Sequence, residues 1–340
     1  MTTLVAFATK DALVLGCDSL GSMMKEMVDP WRLAKDFFDQ NFKLKVDEDG
    51  DPLLKEFKDI YATAQEIPYN QMTHVTKMFS LSPLEMGIMV TGISSIGNRT
   101  IKSLVNEFKR TDLAFNKKKS PSNYTVKTLS NRLLKFIGKF YDEKYPGKMG
   151  KPSLELMIGG YDKRKPIPTI YRIYVHKKKV ESPLNGGFGI AFGGQTQEIE
   201  RLVFGIDFFN EIRLTRRIQD LFDRYRDLLQ ESLKKKGVSE KLKRFTAFGD
   251  KLKLFKDWGF YEFVADWADF SEQNAIECVN FFVEIMIKSQ QFSSMLPIVG
   301  GDVHVGLITK EDGFRFISRE EYEHEGYKIP KQKEKNERIN

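Results

Sequence analysis

Cysteine is scarce in this sequence: Cys17 and Cys278 are the only two among 340 residues. Two thiols cannot build a disulfide framework, so a reducing, cytoplasmic compartment is the default expectation. Long apolar runs are missing too. None reaches the roughly 20 residues that cross a bilayer, and the start of the chain lacks the charged head and apolar middle of a secretory signal, so no membrane partner is expected. Histidine numbers four. His74, His176, His304 and His324 are not spaced with cysteines or carboxylates as metal ligands are, so neither a zinc site nor a cofactor is expected. There is no Gly-x-x-x-x-Gly-Lys-Ser/Thr loop, which excludes ATP hydrolysis of that kind. The pairs Gly159-Gly160, Gly186-Gly187, Gly193-Gly194 and Gly300-Gly301 read as turns between strands.

What is present describes a folded chain. A hydrophobic fraction of 41% with 12% aromatics can bury a sizeable core and does not fit a disordered protein. The net charge of +7 raises the question of nucleic acid. However, the lysines fall in separate runs, at 117–119, 177–179, 234–236 and in the tail, each on an expected loop or exposed end. Solvated surface explains them, and no nucleic-acid partner is expected.

The chain opens on a hairpin. Leu4 to Ala8 and Leu13 to Cys17 are short apolar, β-branched runs flanking a Lys10-Asp11 turn. From about 25 to 70 neither period is sustained, and that stretch reads as an insertion with short helices. A second hairpin follows, Val75 to Leu81 and Gly87 to Gly92. Apolar residues at Ile101, Leu104, Val105 and Phe108 then predict a helix capped by Asn98, and a second is predicted from about 124 to 145. Strands return at Leu154–Gly160 and Thr169–Val175, before a Gly-rich segment at 186–194. From about 205 to 268 a charged helical arm reads as a second insertion, with Leu221, Leu228, Leu229 and Leu233 on one face and breaks near Gly237 and Gly249. Ser271 caps an apolar helix through Met286, and strands at 303–309 and 313–317 close the core. Residues 1–327 thus form one domain with two insertions, followed by a basic tail at 328–340. Without the insertions the order suits an α+β fold, a four-layer αββα sandwich.

Thr2 stands at the start of the first strand. Initiator Met is normally removed before a small residue. A threonine with a free α-amine then carries its own general base beside its hydroxyl, one way to activate a weak nucleophile.

Several stretches together resemble a known family. They are Thr2-Thr3-x-Val5, Lys10-Asp11-Ala12-x-Val14-x-x-x-Asp18-Ser19, Thr76-Lys77-Met78-Phe79, Gly87-Ile88-Met89-Val90-Thr91-Gly92 and Gly300-Gly301-Asp302-Val303-x-Val305-x-Leu307-Ile308-Thr309-Lys310-x-Asp312-Gly313. They are similar to the catalytic β subunits of the 20S proteasome and the HslV-type peptidase, N-terminal-nucleophile (Ntn) hydrolases with an αββα fold. The likeness spares residues of about 25–70 and 205–268. It implies a threonine-type endopeptidase in which Thr2 attacks the peptide bond, Lys77 lowers the pKa of the threonine amine, and Asp18 holds Lys77 charged. The Gly92 N–H would serve the oxyanion, and the Ser22 main chain would pair with an extended substrate. The implied partners are a peptide or unfolded-protein substrate, further copies in a homo-oligomeric ring, and a separate ATPase unfoldase. Two departures stand out. Phe192-Gly193-Gly194-Gln195 offers glycine where the family has serine, and the later Asp-x-x-Ser pair would fall on Leu296 and Val299. These keep open a small-molecule amidohydrolase and a non-catalytic structural or regulatory subunit.

Overall fold

The computed structural model describes residues 2–54, 65–82, 84–113, 124–147, 151–162, 165, 167–205, 207–235, 266–293, 296–318, 323–324 and 327–328. It divides into two compact units, one of Met1–Gln195 with Ala268–Asn340 and one of Thr196–Trp267. The chain is a mixed α and β protein whose sheets are antiparallel.

In the first unit, strands β1 (Thr3–Ala8) and β2 (Ala12–Asp18) form the opening hairpin. Its turn is closed by Thr9, whose N–H donates to the Ala12 carbonyl at 2.9 Å and whose hydroxyl accepts from the Ala12 N–H at 3.0 Å. Next come β3 (Gly21–Met27), α1 (Pro30–Phe37), β4 (Gln65–Met72), β5 (Met78–Ser80) and β6 (Met86–Gly92). A two-residue ribbon, β7 (Ser95–Ile96) and β8 (Arg99–Thr100), leads into α2 (Ile101–Phe108) and then α3 (Val126–Lys144). Strands β9 (Leu154–Tyr161), β10 (Pro168–Tyr174), β11 (Lys179–Glu181) and β12 (Gly189–Gly194) follow. After the second unit, whose helices α4 (Gln197–Phe204) and α5 (Phe208–Lys235) are described below, come α6 (Glu272–Gln291), β13 (Val303–Thr309) and β14 (Gly313–Ser318).

Ten of these strands make two five-stranded sheets, in the orders β12-β1-β2-β13-β14 and β11-β10-β9-β6-β5. Strand alternation sorts their side chains. Leu4, Ala6, Ala8, Leu13 and Leu15 of the first sheet share a buried cluster with Met89, Met157, Tyr161 and Ile170 of the second. The opposite face of the first sheet meets α6: Phe7 stacks edge-on against Phe270, and a Cβ at Gly16 would lie 2.3 Å from Val279 Cγ1. The opposite face of the second sheet packs Leu154, Leu156, Ile158 and Ile173 against Leu104, Val105 and Phe108 of α2 and Leu129, Leu133, Ile137 and Tyr141 of α3. Each such fully buried side chain contributes about 2 kcal/mol. A capping box of Thr125 and Thr128 starts α3, and Ser271 starts α6 by accepting from the Asn274 N–H.

Two local expectations change. The helix at 101–108 is capped by Thr100, which accepts from the Ser103 N–H, because Asn98 lies in the tight turn between β7 and β8. Residues 65–72 are a strand paired with 21–27 in a separate two-stranded sheet. The alternation is hidden there by Pro68 and by a register shift between Met23 and Met24.

In the second unit α4 ends at Gly205, whose φ of +76° gives the left-handed turn that favours glycine. Asp207 then accepts from the Asn210 N–H at 3.0 Å at the head of α5 and pairs with Arg201 at 2.7 Å. On α5 the expected apolar face is exposed: Leu221 is 63% and Leu228 64% accessible. The side chains of Leu229 and Leu233, Gly237, Gly249 and most of the tail lie outside the described residues. No helix among the described residues is long and apolar enough to cross a membrane.

Candidate functional site

The site assembles where the ends of β1, β2, β6 and β12 meet the approach to β5. Asp18, the last residue of β2, is fully buried. It accepts from the backbone N–H groups of Thr3 and Gly300, each at 3.0 Å, and of Leu20 at 3.3 Å. Lys77, also buried, donates from Nζ to Asp18 Oδ1 at 3.0 Å and to the Leu20 carbonyl at 2.6 Å. An ammonium has three donors, so this ion pair still leaves Lys77 able to serve a further acceptor. Burying both charges is tolerable because every face of the carboxylate is answered by an N–H or by the ammonium.

The loop geometry around Asp18 explains how these donors converge. Ser19 and Leu20 donate to the Gly300 carbonyl at 3.1 and 2.8 Å, and the Asp302 N–H donates to Ser19 Oγ at 2.8 Å. Gly301 has φ +75°, and a Cβ there would come within 2.4 Å of Ser19 Oγ. The Gly300-Gly301 pair therefore clasps the Asp18-Ser19 bend. Val75 donates to the Ser19 carbonyl at 2.9 Å and Val90 to the Lys77 carbonyl at 2.9 Å, which fixes the backbone that carries the lysine.

Thr2 is buried at the entrance to β1, at a position that falls on the Leu4 and Ala6 face. Its carbonyl accepts from the Gln195 N–H at 2.8 Å and, at 3.5 Å, from the Thr91 hydroxyl. Thr3 Oγ1 donates to the Gln195 carbonyl at 2.8 Å. Gly194 has φ +76°, and a Cβ there would fall 1.9 Å from the Thr2 oxygen, so β12 ends hard against Thr2. Thr3 and Lys77 are joined through one carboxylate oxygen, since Asp18 Oδ1 receives both the Thr3 amide and the Lys77 ammonium.

Gly92 is the residue after Thr91, at the end of β6 opposite Leu154. Its φ is +102° and a Cβ would sit 2.1 Å from the Ser153 carbonyl. Ser22 lies on β3 opposite Gln71, so one edge of its main chain is already paired with β4, while its hydroxyl is buried without a hydrogen-bond partner. Leu296 is exposed and Val299 buried, and neither brings an ionisable group. Cys17 is buried in the layer between the sheets. Burial pushes its thiol pKa far up, opposed by the Lys77 charge and reinforced by Asp18, so it is no nucleophile.

Sequence reasoning did not single out four parts of this arrangement: the Gly300 N–H, the Leu20 carbonyl, the Gln195 N–H, and the ion pair of Glu155 with Arg172 at 2.8 Å. The first three are backbone groups and leave no side-chain signature. A signal for the fourth existed, a glutamate and an arginine placed inside otherwise apolar strands. Among the described residues no group of three or more His, Cys, Asp or Glu gathers as a metal site. Comparison with known proteins returned no matching family model and no matching curated protein.

Proposed function

We propose that the chain is an Ntn hydrolase of proteasome type, an αββα sandwich whose two central sheets are flanked by α6 on one side and by α2 and α3 on the other. Its activity is hydrolysis of peptide bonds on Thr2 after removal of Met1. The observation that carries this reading is the buried Lys77–Asp18 pair sharing Asp18 Oδ1 with the Thr3 amide. It sets a charged lysine and the first residues of a strand around one carboxylate. The ammonium beside a free Thr2 amine lowers that amine's pKa and makes it a base near neutral pH.

In the proposed reaction the Thr2 amine takes the proton of its own hydroxyl as Oγ attacks the carbonyl carbon. The Gly92 N–H donates to the oxyanion. The amine then gives its proton to the departing amine of the substrate, which leaves an ester on Thr2. Water, deprotonated by the same amine, hydrolyses that ester and restores the hydroxyl. Assembly into a homo-oligomeric ring and supply of substrate by an ATPase unfoldase belong to the same proposal.

The non-catalytic reading is favoured by glycine at 193 and 194 and by apolar side chains at Leu296 and Val299. Hydrolysis of fluorogenic peptides, compared with small amides, separates the readings. Peptide cleavage that Thr2→Ala abolishes is the expected result. Turnover of small amides alone would make the chain an amidohydrolase, and no turnover of either would make it a structural or regulatory subunit.

A further inference from the structure

A second ion pair lies beside the proposed nucleophile. Glu155 on β9 accepts from Arg172 Nε on β10 at 2.8 Å, and the glutamate side chain is only 10% accessible. Alternation puts Glu155 on the face of Met157 and Tyr161, and Arg172 on the face of Ile170, so both point between the sheets. Nearly all other side chains there are apolar. Burial alone would push the guanidinium pKa down, yet the hydrogen bond and charge of Glu155 raise it.

Three observations bring this carboxylate to the neighbours of the Thr2 carbonyl. A Cβ on Gly193 would lie 2.5 Å from Glu155 Oε1 and 3.5 Å from an Arg172 Nη atom, so the pair fills the space that a side chain at 193 would occupy. Gly194, the next residue, abuts the Thr2 carbonyl. Thr91, whose hydroxyl reaches that same carbonyl, is the direct cross-strand partner of Glu155. The space beside Gly193, next to the glycine that abuts Thr2, therefore holds a carboxylate carried by a different strand.

We infer that Glu155, held by Arg172, is a positioning residue that tunes the Thr2 amine, an inference that rests on the reading of Thr2 as nucleophile. A carboxylate near an amine favours the ammonium form, whereas Lys77 disfavours it. The two opposed charges together set where the amine becomes a free base. The charged and titratable groups on the surrounding elements are Cys17 and Asp18 of β2, Lys77 before β5, Glu155 and Tyr161 of β9, Tyr171, Arg172 and Tyr174 of β10, Lys179 and Glu181 of β11 and His304 of β13. Among them Glu155 is the carboxylate that abuts the Gly193-Gly194 end of β12, and Asp18 is already committed to Lys77 and backbone donors.

The test is the pH dependence of covalent labelling of the full-length chain by a peptide epoxyketone, which reacts with both the hydroxyl and the amine of an N-terminal threonine. Glu155→Gln is expected to lower the acid-side midpoint by roughly half a pH unit, and Arg172→Gln to raise it by a similar amount. A structural role would slow labelling in both variants without moving either midpoint, and that result, or shifts of the same sign, would overturn the inference. Should Glu155→Gln fail to fold, Arg172→Gln decides alone: an upward shift supports it and an unmoved midpoint overturns it. Absence of any adduct on the unmodified chain would instead remove the Thr2 reading itself.

Discussion

At the scale of single residues, the site is a problem of buried charge. Lys77 and Asp18 are both inaccessible, and three backbone N–H groups converge on the carboxylate. Replacing Lys77 by Met keeps the volume but leaves that carboxylate without its counter-ion. Stability is expected to fall by about 3 kcal/mol, the lower end for a broken buried pair, because the amide donors remain. Chemical denaturation measures this, and an unchanged midpoint would show that the pair carries no net weight. The residues of this centre were legible as types: a threonine opening a strand, an aspartate ending its hairpin partner, a lysine before an apolar strand. Their common oxygen was not, because Lys77 lies 59 positions from Asp18 and the other donor to that oxygen is only the main-chain N–H of Thr3. Glu155 was passed over for a similar reason. Its partner Arg172 is on the neighbouring strand, and only the register brings them together.

At the scale of elements, alternation and helical spacing located the two hairpins, the capped helices and the closing strands, since each has one face buried and one period to obey. At β3 and β4 a proline and a register shift break the period, so these strands carry no legible alternation. How closely α6 approaches β2 has no signature in either period. Gly16 faces Val279 at a distance that leaves no room for a methyl group. Gly16→Ala is expected to cost about 2 kcal/mol through overpacking, and Val279→Ala in the same chain to recover part of it. Thermal melts of the single and double variants check this, and additive losses would contradict direct contact.

The second unit offers an element-scale test with a defined pH dependence. Asp207 is 99% inaccessible at the head of α5. Burial raises its carboxyl pKa, but the Asn210 amide and Arg201 more than reverse this and hold it below the ordinary value. A depressed folded pKa means stability that is present above about pH 4, the unfolded value, and is lost as pH falls through the folded one. Asp207→Asn is expected to remove about 1 kcal/mol of helix stability near neutrality. It should also flatten the acid limb of a circular-dichroism titration; an unchanged limb would show that Asp207 does not govern it.

At the scale of the whole molecule, the α+β class followed from the order of strand and helix patterns, and two five-stranded antiparallel sheets are its physical expression. What composition could not foresee is which sheet each strand joins. β12 is separated by most of the first unit from β1, the strand beside which it lies. The resemblance to proteasome β subunits supplied the catalytic proposal, and the buried lysine beside the first strand is the feature that supports it most.

The most direct measurement is the intact mass of the purified chain before and after exposure to a peptide epoxyketone. The expected result is a mass lacking Met1, then a gain of one reagent mapped by peptide analysis to Thr2 and lost in the Lys77→Met variant. Retained Met1, or a reagent found on any residue other than Thr2, would contradict the account.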